Sequence, residues 1–141
     1  MRKRSDVVKV LVEVPLFSKC AQRELNSVAR HIEVLDFDEG GTIVRQGEAA
    51  NAFYVVLDGH AEVRRNGKRV GRLGAGDYFG ELALLDPAPR NADVVAISPT
   101  VVGRLLAGSF REVLKSVPAI RERLLVGLAR RLREADRRAV E

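Results

Sequence analysis

Between Ile32 and Leu106 the chain is cut by glycine and proline turns into short segments, and this punctuation restricts the fold more than any other feature. The segments are too short for ordinary helices but suit strands. Ile32, Val34 and Phe37 begin a strand-like pattern, and Gly40-Gly41 turns the chain. Thr42-Ile43-Val44-Arg45 follows, then a turn at Gln46-Gly47-Glu48. Phe53-Tyr54-Val55-Val56-Leu57 is a strongly apolar run closed by Asp58-Gly59. Ala61-Glu62-Val63-Arg64 alternates, and Asn66-Gly67 predicts a type I′ hairpin, whose two central positions both need positive φ. Lys68 to Leu73 returns, and Gly74-Ala75-Gly76-Asp77 turns into Tyr78-Phe79. Asp93 to Ile97 and Thr100 to Leu106 read as two more strands around Ser98-Pro99. About eight short strands with such regular turns predict an antiparallel barrel or jelly roll.

Helical periodicity brackets this region. Ser5-Asp6 is a candidate N-cap for a short helix over Val7 to Val14, with Val8, Leu11 and Val12 on one face and Pro15 ending it. Leu25, Val28, Ala29 and Ile32 recur at helical spacing, so Ala21 to Arg30 reads as an amphipathic helix. After the strands, Ser109 to Leu114 suggests a short helix, and Ser116-Val117-Pro118 a break with proline at the next helix start. From Ala119 onward Ile120, Leu124, Leu128, Leu132 and Ala135 form one apolar stripe, widened by Leu125 and Ala129. The fold class expected is therefore mainly β with flanking helices. Three parts are expected: an N-terminal helical extension over 1–15, a β domain with short helices over 16–117, and a C-terminal helix over 118–141.

A chain of 141 residues is one domain's worth and can bury a core without disulfides or metals. The single cysteine, Cys20, excludes an intramolecular disulfide, which fits a reducing, cytoplasmic setting. It sits among Leu16, Phe17 and Leu25 and reads as a small buried hydrophobe; nothing places it with His31 or His60 as a catalytic pair. No apolar run approaches the ~18 residues of a membrane span. Met1-Arg2-Lys3-Arg4 resembles the start of an export signal, but Lys9 and Glu13 interrupt the apolar stretch behind it. The net charge of +5 belongs to the two ends: Arg2, Lys3 and Arg4, and the arginines after Pro118. Such faces are solvated or touch anionic partners. No metal-ligand cluster, G-x-S-x-G or Walker-type loop is present, so the chain reads as a non-enzyme that needs no metal.

One stretch remains: Phe79-Gly80-Glu81-Leu82-Ala83-Leu84, then Pro89-Arg90-Asn91-Ala92. Backbone N–H groups at a helix start favour an anion. An arginine fork adds a bidentate, permanent charge. Glu81 repels an anion but accepts hydrogen bonds from hydroxyls, so a ligand with a phosphate beside a sugar would satisfy both residues. An ordinary surface ion pair between Glu81 and Arg90 is the alternative.

These residues resemble the phosphate-binding cassette of the cyclic nucleotide-binding domain family. Its members serve bacterial catabolite activator-type regulators, cyclic nucleotide-gated channels and protein kinase A regulatory subunits. The turns at Arg45 to Glu48, Leu57 to Gly59 and Gly74 to Glu81 also match, and the resemblance runs over roughly Leu16 to Ala135. It implies a β-roll with helices at both ends, a cyclic nucleotide as ligand, and a sensor role. By position, Gly80 and Glu81 would hold the ribose and Arg90 the cyclic phosphate. Asn91 and the backbone at Leu82, Ala83 and Ala92 would support it. Val63, Val70, Phe79 and Val94 would line the sugar-and-base side, or serve as plain core. Arg131, which interrupts the apolar face of the last helix, would lie near the base. That helix would cover the nucleotide, and 118–135 would dimerise or meet an effector; packing on its own domain is the alternative.

Two positions depart from the family pattern. Asn91 stands where alanine, serine or threonine is common; its amide both donates and accepts, leaving cAMP against cGMP open. cAMP is expected, because no residue placed here is a partner for the guanine edge. Asp93 stands where threonine is usual, and strand alternation with Ala92 and Val94 turns it outward. Without a helix-turn-helix pattern, specific DNA binding is not expected; the arginine tail alone would bind weakly. A stand-alone sensor, the sensor piece of a longer regulator such as a transcription factor, and an interaction domain that binds no nucleotide remain open.

Overall fold

The computed structural model describes residues 4–140. Arg2, Lys3 and Glu141 lie outside the described residues, as do the side chains of 4–6 and 138–140, so most of the basic N-terminus is not placed. The chain runs α1 (Arg4–Leu11), a 3-10 turn (Pro15–Phe17), α2 (Gln22–His31), β1 (Glu33–Phe37), β2 (Thr42–Val44), β3 (Ala52–Asp58), β4 (His60–Arg65) and β5 (Lys68–Gly74). Then come β6 (Tyr78–Phe79), α3 (Glu81–Leu85), β7 (Asp93–Ala96), β8 (Thr100–Leu106), α4 (Ala107–Ser116) and α5 (Pro118–Val140).

The eight strands form two antiparallel four-stranded sheets, ordered β1-β8-β3-β6 and β2-β7-β4-β5, which make a β-roll. β3 explains how the roll and the helices share one chain. It is buried on both faces, which is why its sequence is continuously apolar rather than alternating. Ala52 and Tyr54 point into the roll, against Val44, Ala61, Val94 and Val102. Phe53, Val55 and Leu57 point the other way, into a core built with Leu11, Leu25, Val28, Phe110, Ile120 and Leu124 from the helices. Phe53 stacks on Phe110 at 4.8 Å between ring centroids and contacts Tyr78 at 5.7 Å. The second of these cores fixes where α5 begins, and so where its far end can reach.

The local signals mostly act as expected. Asn66 and Gly67 have φ of 54° and 79°, the pair of positive values that a type I′ turn requires. α2 begins after Ala21, whose N–H donates to the Glu24 carboxylate at 2.8 Å, half of a capping box. Two helical expectations need correction. α1 ends at Leu11 and already includes Ser5 and Asp6, so these do not cap it, and its core face is Val7, Val8 and Leu11 with Val14 beyond; Val12 is exposed. α4 begins directly out of β8 at Ala107, whose N–H donates to the Asn51 carbonyl at 2.9 Å. The break at Val117 is present, and Arg121 reaches back across it to the Leu114 carbonyl at 2.8 Å.

Cys20 is half-buried at the edge of the helical core rather than enclosed in it. Burial, with the nearby Glu24 carboxylate, pushes its thiol up to about 11, so it is not a nucleophile near neutral pH. His31 ends α2 and His60 begins β4, on separate elements. Among the described residues no group of metal-ligating side chains occurs, and no helix is long and apolar enough to cross a membrane.

Candidate functional site

A cavity of about 550 Å³ opens between the Gly80–Ala92 segment, strands β4, β5 and β7, and the far half of α5. Its size lies in the range of small-ligand sites, ~300–1,000 Å³. The segment is pinned at both ends. Gly47 N–H donates to the Arg90 carbonyl and Arg90 N–H to the Glu48 carbonyl, each at 2.8 Å, and Ala49 bridges Pro89. At the other end Phe79 pairs with Tyr54 across β6 and β3 and stacks on its ring at 5.0 Å.

Gly80 joins β6 to α3 with φ of 94°, a left-handed conformation that suits glycine. Space demands glycine as well. A Cβ here would stand 2.6 Å from Arg90 Nη1 and 3.0 Å from the Ala52 carbonyl oxygen. The absent side chain lets the Arg90 guanidinium lie against the backbone.

Arg90 is 7% exposed. Its Nη2 donates to the Ala52 carbonyl at 2.7 Å, and its guanidinium carbon sits 5.7 Å from the centre of the Tyr54 ring. Its Nη1 is buried without any hydrogen-bond partner. Burial pulls its pKa below the ordinary arginine value, and Tyr54 opposes that only in part. A buried cation with an unsatisfied donor costs free energy, and an anion arriving at Nη1 would relieve it.

Glu81 is 1% exposed, and Oε1 accepts from Arg131 Nη1 across 50 residues of sequence. Among the described residues it makes no ion pair with Arg90, so the two charges have separate partners. The Arg131 side chain is half-exposed and lies over the Tyr78 ring at 5.2 Å. Burial raises the Tyr78 hydroxyl's pKa, with Arg131 lowering it and Glu81 raising it. α5 approaches Tyr78 closely because residue 127 is glycine: a Cβ there would come 2.5 Å from the Tyr78 hydroxyl. Tyr78, Gly127 and Arg131 thus bring α5 onto the cavity wall.

The other residues singled out in the sequence mostly meet here. Leu82, Ala83, Asn91 and Ala92 line the cavity from the cassette, and Val63, Phe79 and Val94 from the roll. Val70 does not: it is 53% exposed and faces away. The reason is a bulge. Arg64 pairs with Arg69 and Val63 with Gly71, which leaves Val70 unpaired and reverses the alternation of β5. Gly71 and Leu73 therefore line the cavity instead, with the exposed Arg72 between them reaching its rim, and with Tyr78 and Val44. Asp93 lies outside the lining; its Oδ1 accepts from the Gln46 N–H at 2.6 Å. Tyr78 was legible only as a strand residue before the cassette, since its role needs the far end of α5 beside it.

The family model described as "Cyclic nucleotide-binding domain" matches residues 34–117. A cAMP-dependent protein kinase regulatory subunit from Mycosarcoma maydis is 39% identical over 108 residues, 74% of this chain and 21% of that protein. A regulatory subunit of a cAMP-independent protein kinase A from Trypanosoma brucei superimposes with a TM-score of 0.82 at 29% identity, over 89% of this chain and 46% of that one. The regulatory domain of Toxoplasma gondii protein kinase A, crystallised with cAMP, gives 0.79 at 32% identity, over 90% and 50%. The chain spans about a fifth to a third of the curated relatives it matches. The family match covers most of the roll and its whole cassette, and the two sheets and flanking helices repeat in the solved relatives: the chain belongs to the cyclic nucleotide-binding domain family.

Proposed function

We propose that this chain is a sensor domain, without catalytic activity of its own, whose cavity binds a cyclic nucleotide. The observation that carries this reading is the Arg90 guanidinium: buried, with Nη1 unpaired, in a cavity sized for a small ligand. The likeness of fold does not choose the ligand, since similar regulatory subunits include one described as cAMP-independent. The choice rests on Arg90 and Glu81. Arg90 Nη1 would take an oxygen of the cyclic phosphate, with backbone N–H groups around Leu82, Ala83 and Ala92 beside it. Glu81 would accept from the ribose 2′-hydroxyl. cAMP is preferred over cGMP in this reading, because the base side is walled mainly by Val63, Gly71 and Leu73, and Arg72, the polar side chain between the last two, is exposed to solvent; a cGMP preference that Arg72→Ala removes would contradict it.

Arg131 reaches Glu81 rather than a base-reading position in this structure, which gives it a mechanical role. A carboxylate has two oxygens. Arg131 holds Oε1, and the ribose hydroxyl would use the other, so ligand and helix meet on one side chain. The nucleotide then favours the state in which α5 is seated, and it shifts α5 only by as much as it binds that state better. Hydrogen exchange tests this: amides of 119–135 are expected to gain protection at saturating cAMP beyond the gain in the strands. Protection confined to 80–92 would mean that α5 is no lid.

The sugar contact has its own test. 2′-Deoxy-cAMP is expected to bind about tenfold more weakly than cAMP, the lower end of the ~1.5–3 kcal/mol for a hydrogen bond to a charged group, because Arg131 still satisfies part of Glu81. Equal affinity for the two would remove Glu81 from the ribose.

The apolar stripe of α5 divides. Ile120 and Leu124 are buried in the helical core, whereas Leu125 and Leu132 are 62% and 65% exposed. Leu125, Leu128 and Leu132 follow the three-four spacing of a coiled-coil seam, and we assign them to a second copy of the chain or an effector helix.

A further inference from the structure

A second cleft, of about 520 Å³, lies on the other side of Tyr78, between the Pro15–Phe17 turn and α5. Pro15 and Val126 supply exposed apolar surface; Leu16, 4% exposed, adds little. Lys19, Arg123 and Arg130 stand around it, and none of the three has an ion pair or side-chain hydrogen bond among the described residues. Glu122 is the one acid in the lining. Arginines on a helix face are ordinarily solvated in all directions. Here two of them line one recess together with a lysine from a different segment. A cleft of this volume lies in the range of small-ligand sites.

We propose that this cleft is a second ligand site, for an amphipathic anion: a carboxylate or sulfonate carrying an apolar body. The apolar body would lie on Pro15 and Val126, where transfer from water is favourable. The headgroup would meet Arg123, Arg130 or Lys19, whose excess of two positive charges over Glu122 selects an anion. Tyr78 belongs to both cavities, and α5 contributes Val126 to one and Arg131 to the other. A ligand wedged between the Pro15–Phe17 turn and α5 braces the helix against Tyr78, in the position from which Arg131 holds Glu81. Occupancy of the cleft stands by itself; its coupling to cAMP rests on the function proposed above.

Decanoate followed by amide chemical shifts of the full chain tests the site. Saturable shifts are expected at Leu16, Val126 and Gly127, with none from decyltrimethylammonium at the same concentration. Arg123→Glu is expected to weaken decanoate at least tenfold. Val126→Trp, which fills the cleft from an exposed position, is expected to do the same if Arg123→Glu does not fold. Shifts that the cationic detergent reproduces, or that centre on Leu125 and Leu132, would overturn the site; the second pattern would mark the outer helix face as the docking surface. In a separate titration, decanoate is expected to tighten cAMP binding about fivefold, with cAMP tightening decanoate equally. Saturable decanoate binding with unchanged cAMP affinity would overturn the coupling through Tyr78, and a chain that binds decanoate but no cAMP would overturn the function of the first cavity and leave the second.

Discussion

Arg90→Ala is expected to weaken cAMP binding by about 2–5 kcal/mol, the cost of truncating one partner of a buried charge pair. That is a loss of thirtyfold to several thousandfold. The variant should still fold. It forfeits one hydrogen bond, to the Ala52 carbonyl, but it also removes a buried cation whose Nη1 is unpaired, so the net stability change is small. Arg90→Lys is a sharper probe. An ammonium keeps the charge but lacks the fork, so it cannot serve the Ala52 carbonyl and the phosphate in the same geometry. Binding intermediate between wild type and alanine is expected. Calorimetry on the two folded variants reads the difference, and an Arg90→Ala protein with unchanged affinity would show that the phosphate lies elsewhere.

Gly80→Ala is expected to damage both stability and binding. The backbone penalty for a side chain in the left-handed region is about 1–2 kcal/mol. The new methyl also strikes the Arg90 guanidinium and the Ala52 carbonyl, so the arginine must leave its position or the β6–α3 junction must open. Thermal unfolding should fall by several degrees. Affinity for cAMP should fall more than stability explains, because the displaced group is the phosphate ligand itself. Gly108→Ala, in α4 and outside the cavity lining, is the control. Its Cβ would meet nothing within 4 Å, in a position without positive φ. A Gly80→Ala protein that melts and binds like wild type would mean the junction is not under the constraint described.

What the sequence made legible was local. The Asn66-Gly67 turn, the helix break before Pro118 and the adjacency of Gly80, Glu81 and the α3 start depend on neighbours in the chain, and each is present. The regular turns predict about eight short antiparallel strands for the same reason, and the described residues form eight, paired into two sheets. Errors arose where one residue changes the parity of the residues after it. The family pattern implies Val70 in the wall, but a bulge there, which no neighbouring residue announces, turns it outward and brings Gly71 and Leu73 to the lining. Helical period puts Val12 on one face with Val8 and Leu11, but α1 stops one residue earlier and Val12 is exposed. Arg131 was recognisable as a polar interruption in an apolar stripe. Its partner was not, because the Glu81 contact joins residues 50 apart and depends on how α5 leaves the core at Ile120 and Leu124.

If the unpaired Arg90 donor is there to meet a cyclic phosphate, isothermal titration of the folded chain with cAMP, beside 5′-AMP, tests it most directly. The cyclic phosphate monoanion and its ring geometry should fit between Arg90 and the cassette backbone, so the prediction is saturable binding of one cAMP per chain, with 5′-AMP much weaker. No heat and no competition from either cAMP or cGMP, in a protein shown to be folded, would contradict it.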